Sequence, residues 1–452
     1  MEVDTLVIGA GPGGYTAANR LAQLGHKIAI VEKNQPGGVC LNDGCIPSKL
    51  WISASHTYQQ TQHNPFGIKS SDIKVNVAEL LQYKAQVIEK QRKGISGLFR
   101  QHGVTFVHGE ATFTGANEVK VISHEEVTIR FKYCILATGS RPIPLEAVPF
   151  SKRVISSTEA LQLGEIPRSI LVVGGGYIGI ELGQMFARFG AKVTLLEASA
   201  RILTGFDPEM VDLISRKMKQ SGINIYTNAE LQSVTESEPF LQVKYSVQQE
   251  VKEESTEYVL VTVGRKVNTD VIQGFHHLRL KLNERGQILV DRQCRTSTPH
   301  VYAIGDAIPG PALAHKAYYE AKVAAEAIAG RSVEVDYKCI PLIIFSEPEC
   351  ASVGYTEQEA KQSGVRIKVG KFPYSANGRA LALGEKDGFV KLIADEEDVI
   401  IGVQVIGMNA SELIADMSLA IEMGATLSDL SLTIHAHPTL SEMFVDAAEV
   451  IQ

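Results

Sequence analysis

Six cysteines scattered over 452 residues are too few for a disulfide framework. A structural metal site fits no better. Metal-binding cysteines usually stand about two to four residues apart and come as two pairs, whereas Cys40 and Cys45 form a single, wider pair. No metal is expected. Basic blocks are also missing, and with a net charge of -7 the chain makes nucleic acid and anionic membranes poor partners. No apolar run reaches the ~20 residues needed to cross a bilayer. A strand-like run, DTLVIGAG, begins almost at Met1 and leaves no room for a cleaved leader, so the expected compartment is the cytoplasm. There a disulfide tends to be catalytic or redox-sensing. With 44% hydrophobic residues, a chain of this length is expected to form several domains around more than one core.

What is present is a repeated dinucleotide signature. Residues DTLVIGAGPGGYTAANRLAQLGHKIAIVEK read as strand, glycine turn, helix, strand, with Gly9, Gly11 and Gly14 in G-x-G-x-x-G spacing and Glu32 closing the second strand. One glycine makes the tight turn, one lets backbone approach a pyrophosphate, and one lets the helix pack on the strand. The acid then binds ribose hydroxyls. The pattern returns in SILVVGGGYIGIELGQMFARFGAKVTLLEA, with Gly174, Gly176, Gly179 and Glu197. First glycine and acid are 23 residues apart in both copies, so this is an internal repeat and two dinucleotides are expected. Glu197 favours the free ribose diol of NAD over the phosphate of NADP, although Arg201 lies close by in sequence. Two further strands end in glycine: YCILATGSRP and HVYAIGDA, the latter at Gly305 and Asp306.

The remaining stretches are GGVCLNDGCIPSK, a loop-like run holding Cys40 and Cys45, and TIHAHPTLSEMF near the end. In the second, Pro438 restricts the backbone before it and makes a defined turn at His437, and Glu442 follows five residues on. In this order the elements resemble those of the flavoprotein disulfide reductases, over essentially the whole chain. That family has an N-terminal FAD fingerprint, a redox-active C-x4-C after it, a mid-chain NAD(P) fingerprint, a strand-Gly-Asp flavin contact and a C-terminal His-Pro segment. Within it, CLNDGCIPSK and HAHPTLSE are most similar to members that oxidise dihydrolipoamide. Glutathione reductases tend to carry valine and lysine where this chain has Ile46 and Ser48, and mercuric reductases add a C-terminal cysteine pair that does not follow Cys350 here. Val39 departs from the family, which usually has threonine there.

The resemblance implies an α/β chain with two Rossmann-like dinucleotide-binding domains plus a C-terminal α+β dimerisation domain. Its segments would be 1–142 for FAD and the redox disulfide, 143–264 for NAD, 265–334 returning to the FAD domain, and 335–452 at the dimer interface. Three prolines in GSRPIPLEAVPF mark the first boundary independently. Cys45 would lie against the flavin ring and Cys40 would be the exposed sulfur that exchanges with substrate. Lys49 and Glu181 would stand beside the flavin. Ala111, Gly139, Asp306, Ala314 and Gly264 join the cofactor contacts. His437 would be the base, oriented by Glu442 and reaching the cysteines of the other subunit of a homodimer. Cys134, Cys294, Cys339 and Cys350 lie apart from these motifs. The implied activity is oxidation of dihydrolipoamide carried by a lipoyl-bearing acyltransferase subunit of a 2-oxo acid dehydrogenase-type complex, with FAD and NAD as cofactors. A reductase of another disulfide, or a redox-sensing flavoprotein without turnover, are the alternatives.

Overall fold

The computed structural model describes residues 1–62, 64–123 and 126–451. By compactness the chain divides into two units. One comprises residues 1–50, 78–143 and 264–336, the other residues 51–77, 144–263 and 337–452.

The first unit is built on a seven-stranded sheet. Its centre is Glu2–Ile8, flanked in parallel by Ile28–Glu32 on one side and Glu126–Leu136 on the other. The long strand Glu126–Leu136 changes partners along its length. Its first half pairs antiparallel with Glu118–Ile122, and its last three residues pair in parallel with Val301–Ala303. Residues 6–8 and 28–31 of the parallel central strands are buried and wholly apolar, as expected where both faces are covered. Helix Pro12–Gln23 covers one face, burying Ala17, Ala18 and Leu21 at helical spacing. Pro12 sits in its first turn, where a missing N–H costs nothing.

The second unit repeats the device. Its sheet runs Asn224–Thr227, Lys192–Glu197, Ser169–Val173, Tyr258–Val261 and Val154–Ile155, all parallel. Helix Tyr177–Arg188 takes the place of Pro12–Gln23, and both helices have 12 residues. The unit also holds a five-stranded antiparallel sheet ordered Leu342–Ile344, Cys350–Gly354, Ile400–Ile406, Phe389–Ala394 and Lys368–Pro373. Helices Ala410–Met423 and Glu442–Glu449 pack on it around Phe444, Met443 and Ile414. The expected α/β class is what the structure has. Among the described residues no helix is long and apolar enough to cross a membrane.

The cysteine run is not a loop. Cys40 lies in a one-turn helix, Gly38–Asn42, and Cys45 opens the helix Cys45–Gln62. Gly37 at φ +102° and Gly38 at φ +59° supply the left-handed turn that starts the first of these, so glycines that suggested a loop serve as helix punctuation.

Glycine positions yield a stability test. A Cβ on Gly14 would stand 1.8 Å from the Gly9 carbonyl oxygen, whereas one on Gly94, within helix Val77–His102, meets nothing. Gly14→Ala should therefore cost on the order of 1–3 kcal/mol or more, and Gly94→Ala should be neutral or slightly stabilising. Thermal midpoints of the two variants check this.

Candidate functional site

The two fingerprint turns match atom for atom. Gly9 and Gly174 take φ of +96° and +108°, and their N–H groups donate to Val31 and Leu196 at 2.8 Å. The N–H after each glycine closes on the acid ending the second strand. Ala10 donates to Glu32 Oε2 at 2.8 Å and Gly175 to Glu197 Oε2 at 2.7 Å. The other carboxylate oxygen of each takes an N–H two residues on, from Asn34 and Ser199. Each acid is thus fixed at the mouth of its turn, with lone pairs left to accept from a diol.

Space around the glycines separates structural from ligand roles. A Cβ on Gly9, Gly14, Gly174 or Gly179 would stand within 2.7 Å of a backbone oxygen. A Cβ on Gly176 would meet nothing within 4 Å, and one on Gly11 only the Gly38 Cα at 3.9 Å. The chain itself places no demand for glycine at these middle positions. They lie at the N-caps of Tyr177–Arg188 and Pro12–Gln23, where free N–H groups and the helix dipole favour a pyrophosphate. The residues present therefore fit a dinucleotide in both units. Arg201, the residue that could have favoured a phosphate-bearing ribose, is held by the Asp212 carboxylate and the Pro208 carbonyl.

The cysteine pair hangs from the first fingerprint. Gly37 N–H donates to the Ala10 carbonyl at 2.8 Å, so the turn before Cys40 is bonded to the dinucleotide turn. Asn42 braces the short helix by donating to Gly38 and Pro36 carbonyls, and Arg92 Nε donates to its side-chain oxygen at 2.6 Å. Cys40 and Cys45 are not joined by a disulfide in this structure. The Cys40 thiol is pushed well above its ordinary range, chiefly by its hydrogen bond with Cys45 and then by burial, while the Lys49 charge opposes that rise. Cys45 stands at the positive end of an 18-residue helix, which favours negative charge there. Exposure runs opposite to expectation: Cys45 is exposed and Cys40 half-buried. Cys45 opens its helix, whereas Cys40 lies inside the one-turn helix, near enough for its charge to act on Tyr15 and Tyr318.

Those two tyrosines escaped sequence reasoning. Their hydroxyls are 2.6 Å apart, from helices Pro12–Gln23 and Ala314–Ile328, and burial raises both phenols with a further push from the charge of Cys40 and Cys45. Tyr15 follows the last fingerprint glycine directly, but only the fold brings Tyr318 to it. Ser140 and Arg265 were missed too. Ser140 Oγ donates to Asp306 at 2.5 Å and accepts from Arg265 Nε at 2.7 Å.

Other expected contacts fall as follows. Ala111 is buried in strand Glu110–Gly115, Gly139 takes φ +66°, Ala314 opens helix Ala314–Ile328, and Gly264 takes φ +141° with its carbonyl accepting from Ile143. Lys49 is half-buried one turn after Cys45. Glu181 is 3% exposed and its carboxylate accepts the Phe345 N–H at 3.0 Å. Cys134, Cys294 and Cys350 are buried, and Cys339 is half-buried with Sγ 3.4 Å from Glu422. Among the described residues no three His, Cys, Asp or Glu side chains are grouped to hold a metal.

In the second unit, His437 Nδ1 is 2.9 Å from Glu442 Oε1, and the Thr439 N–H donates to Glu442 Oε2 at 2.7 Å. This leaves Nε2 of a side chain that is 81% exposed open to take a proton. The Glu442 carboxyl is held below its ordinary range, first by Thr439 N–H and then by His437. The ion that orients the ring therefore persists on acidification and is lost only as pH falls through that lowered value. His435 turns instead to the Thr433 carbonyl.

The chain belongs to the pyridine nucleotide-disulphide oxidoreductases: the family model of that description matches residues 3–321, and the model of the family's dimerisation domain matches 340–448. Relatives within the family include dihydrolipoyl dehydrogenases. That of Geobacillus stearothermophilus is 54% identical, covering 100% of this chain and 96% of the relative, and that of Bacillus subtilis 50% identical with the same coverage. Among solved structures, the Cu(II) complex of the HOCl-induced flavoprotein disulfide reductase RclA from Escherichia coli superposes with a TM-score of 0.89 at 25% identity, over 100% of both chains.

Gly176→Ala separates ligand space from fold. It should leave the thermal midpoint unchanged and weaken NAD binding by roughly tenfold or more, because a methyl would fill open space at the helix N-terminus that a pyrophosphate would need. Titration calorimetry with NAD, beside a melting curve, reads both.

Proposed function

We propose that the protein is an NAD-dependent dihydrolipoyl dehydrogenase, oxidising protein-bound dihydrolipoamide to lipoamide. The observation that carries this is the Cys40–Cys45 pair, in mutual hydrogen-bond contact and bonded through Gly37 to a dinucleotide turn. Relatives at 50–54% identity over the full chain bear that name. FAD goes to the first fingerprint and NAD to the second, with the functional division 1–142, 143–264, 265–334 and 335–452.

The cycle starts from the Cys40–Cys45 disulfide. His437 Nε2 takes a proton from a substrate thiol, and the thiolate attacks Cys40. A sulfur–sulfur bond forms to substrate as the Cys40–Cys45 bond breaks, leaving Cys45 as thiolate at its helix N-terminus. The second substrate thiol then displaces Cys40, its proton passing to the departing Cys40 sulfur. Lipoamide closes, and the two electrons stay on the pair as a Cys40 thiol and a Cys45 thiolate while His437 keeps the first proton. Glu442 holds the ring with Nδ1–H toward itself and stabilises the imidazolium between steps. Bound FAD would accept the electron pair and deliver it as hydride to NAD. Cys45, on the exposed face, is the sulfur that a flavin ring would cover, and Cys40 remains the one that exchanges. Fixed by two backbone donors, Glu197 favours NAD, and Arg201 is committed to Asp212.

The partners are a second copy of this chain, through the dimerisation domain, and a lipoyl-bearing subunit of a 2-oxo acid dehydrogenase-type complex. The cytoplasm is the proposed compartment.

Turnover of dihydrolipoamide with NAD, measured beside glutathione disulfide with NADPH, tests the assignment. The first couple should dominate, and preference for the second would replace the reading with a glutathione-type reductase. Absence of turnover with both would leave a redox-sensing flavoprotein.

The histidine is proposed to act on its partner's cysteines. His437→Gln alone should lose roughly 10²–10⁴ in rate, the usual contribution of a positioned base. Cys45→Ser alone should be inactive. Co-refolded, the two variants should regain activity in about a quarter of all sites if chains pair at random across a two-fold. Verified subunit exchange without recovery would place base and disulfide on one chain.

A further inference from the structure

The first unit contains an ion pair that the proposed cycle does not use. Lys316 Nζ and Glu320 Oε1 are 2.6 Å apart, one turn from each other on helix Ala314–Ile328, with side chains 1% and 0% exposed. Both also bond the same peptide neighbourhood. Glu320 Oε2 accepts the Gly305 N–H at 2.7 Å, and Lys316 Nζ donates to the Gly305 carbonyl at 3.3 Å. Gly305 takes φ +71°, in the turn that follows strand Val301–Ala303 and delivers Asp306. Even the space is reserved, since a Cβ on Gly310 would stand 2.7 Å from Lys316 Cε.

A buried ion pair is a poor source of stability, because desolvating two charges offsets most of their attraction, and apolar replacements of similar size are often as stable. This one has another use. It holds the donor before Asp306 and the acceptor leading into it, while Ser140 Oγ holds the Asp306 carboxylate from outside. The geometry points to Lys316 and Glu320 as positioning residues that pin the Gly305 turn and so fix the Asp306 carboxylate for contact with bound FAD. This rests on the reading of the first fingerprint as the FAD site. The pair touches no reacting atom; it acts through Asp306.

Removing one partner strands a charge, so the informative variants neutralise both. Lys316→Met with Glu320→Gln keeps an oxygen for the Gly305 N–H. Lys316→Met with Glu320→Leu leaves that N–H without its acceptor. FAD-free protein is prepared from each, its thermal midpoint measured, and FAD titrated in by quenching of flavin fluorescence. The Met/Leu chain should melt only a few degrees below the wild type and, with the Gly305 turn free to shift, lose about tenfold or more in FAD affinity, while Met/Gln should retain most of the affinity. In an Asp306→Ala background the Met/Leu change should add little, since coupled residues are non-additive.

A Met/Leu chain that binds FAD like the wild type, losses that add in the Asp306→Ala background, or a Met/Leu chain whose midpoint collapses would each overturn the proposal, the last by making the pair structural. A wild-type chain that takes up no FAD would instead sink the cofactor reading itself. The two failures are distinct.

Discussion

The carboxylate that ends the second strand and closes on the glycine turn is the interaction from which the rest of the architecture follows. Glu32 and Glu197 each spend both oxygens on backbone N–H groups, one from the turn and one from the residue two positions on. Such charge-assisted bonds are stronger than neutral ones and leave little play. They fix where the turn ends, hence where the helix N-terminus points. That N-terminus is an anion site. In the first unit the same turn accepts Gly37, so the redox pair inherits its position from the dinucleotide cradle.

The chemistry of the pair is a balance of burial against charge. The hydrogen bond with Cys45 and then half-burial disfavour a Cys40 thiolate, while Lys49 favours it. Cys45 has a helix dipole behind it and the more open surroundings. Of two cysteines five apart, the environment therefore makes one the better leaving group. His437 obeys similar logic on its own element. Its orienting carboxylate is kept ionised chiefly by a backbone donor, so the arrangement does not depend on the histidine's own charge.

Buried polar groups elsewhere recur where backbone must be pinned. Glu181 takes the Phe345 N–H, and Gln184 both donates to the Glu347 carbonyl and accepts its N–H, so helix Tyr177–Arg188 is stitched to residues 345–347 through side chains one turn apart. The Lys316–Glu320 pair treats Gly305 in the same way. Irregular segments cannot satisfy their own peptide groups, and buried side chains complete them.

Much of this was readable from order and spacing. Glycines at fixed offsets, an acid 23 residues on and alternation of strand and helix are local patterns, because turn conformation and helix packing depend on near neighbours. The repeat, its acids and the His437–Glu442 contact, five residues in span, were all legible on that basis. The helical state of Cys40 was not, since Gly37 and Gly38 signal a break equally well before a loop or before a helix. Nor were Tyr318, Ser140, Arg265, Lys316 and Glu320. Tyr15 meets Tyr318 across 303 positions, and Ser140 meets Arg265 across 125. Local order along the chain decided the turns and what they can hold; which distant side chains converge on them was left to packing, because loop closure brings residues together at a cost that no short-range pattern records.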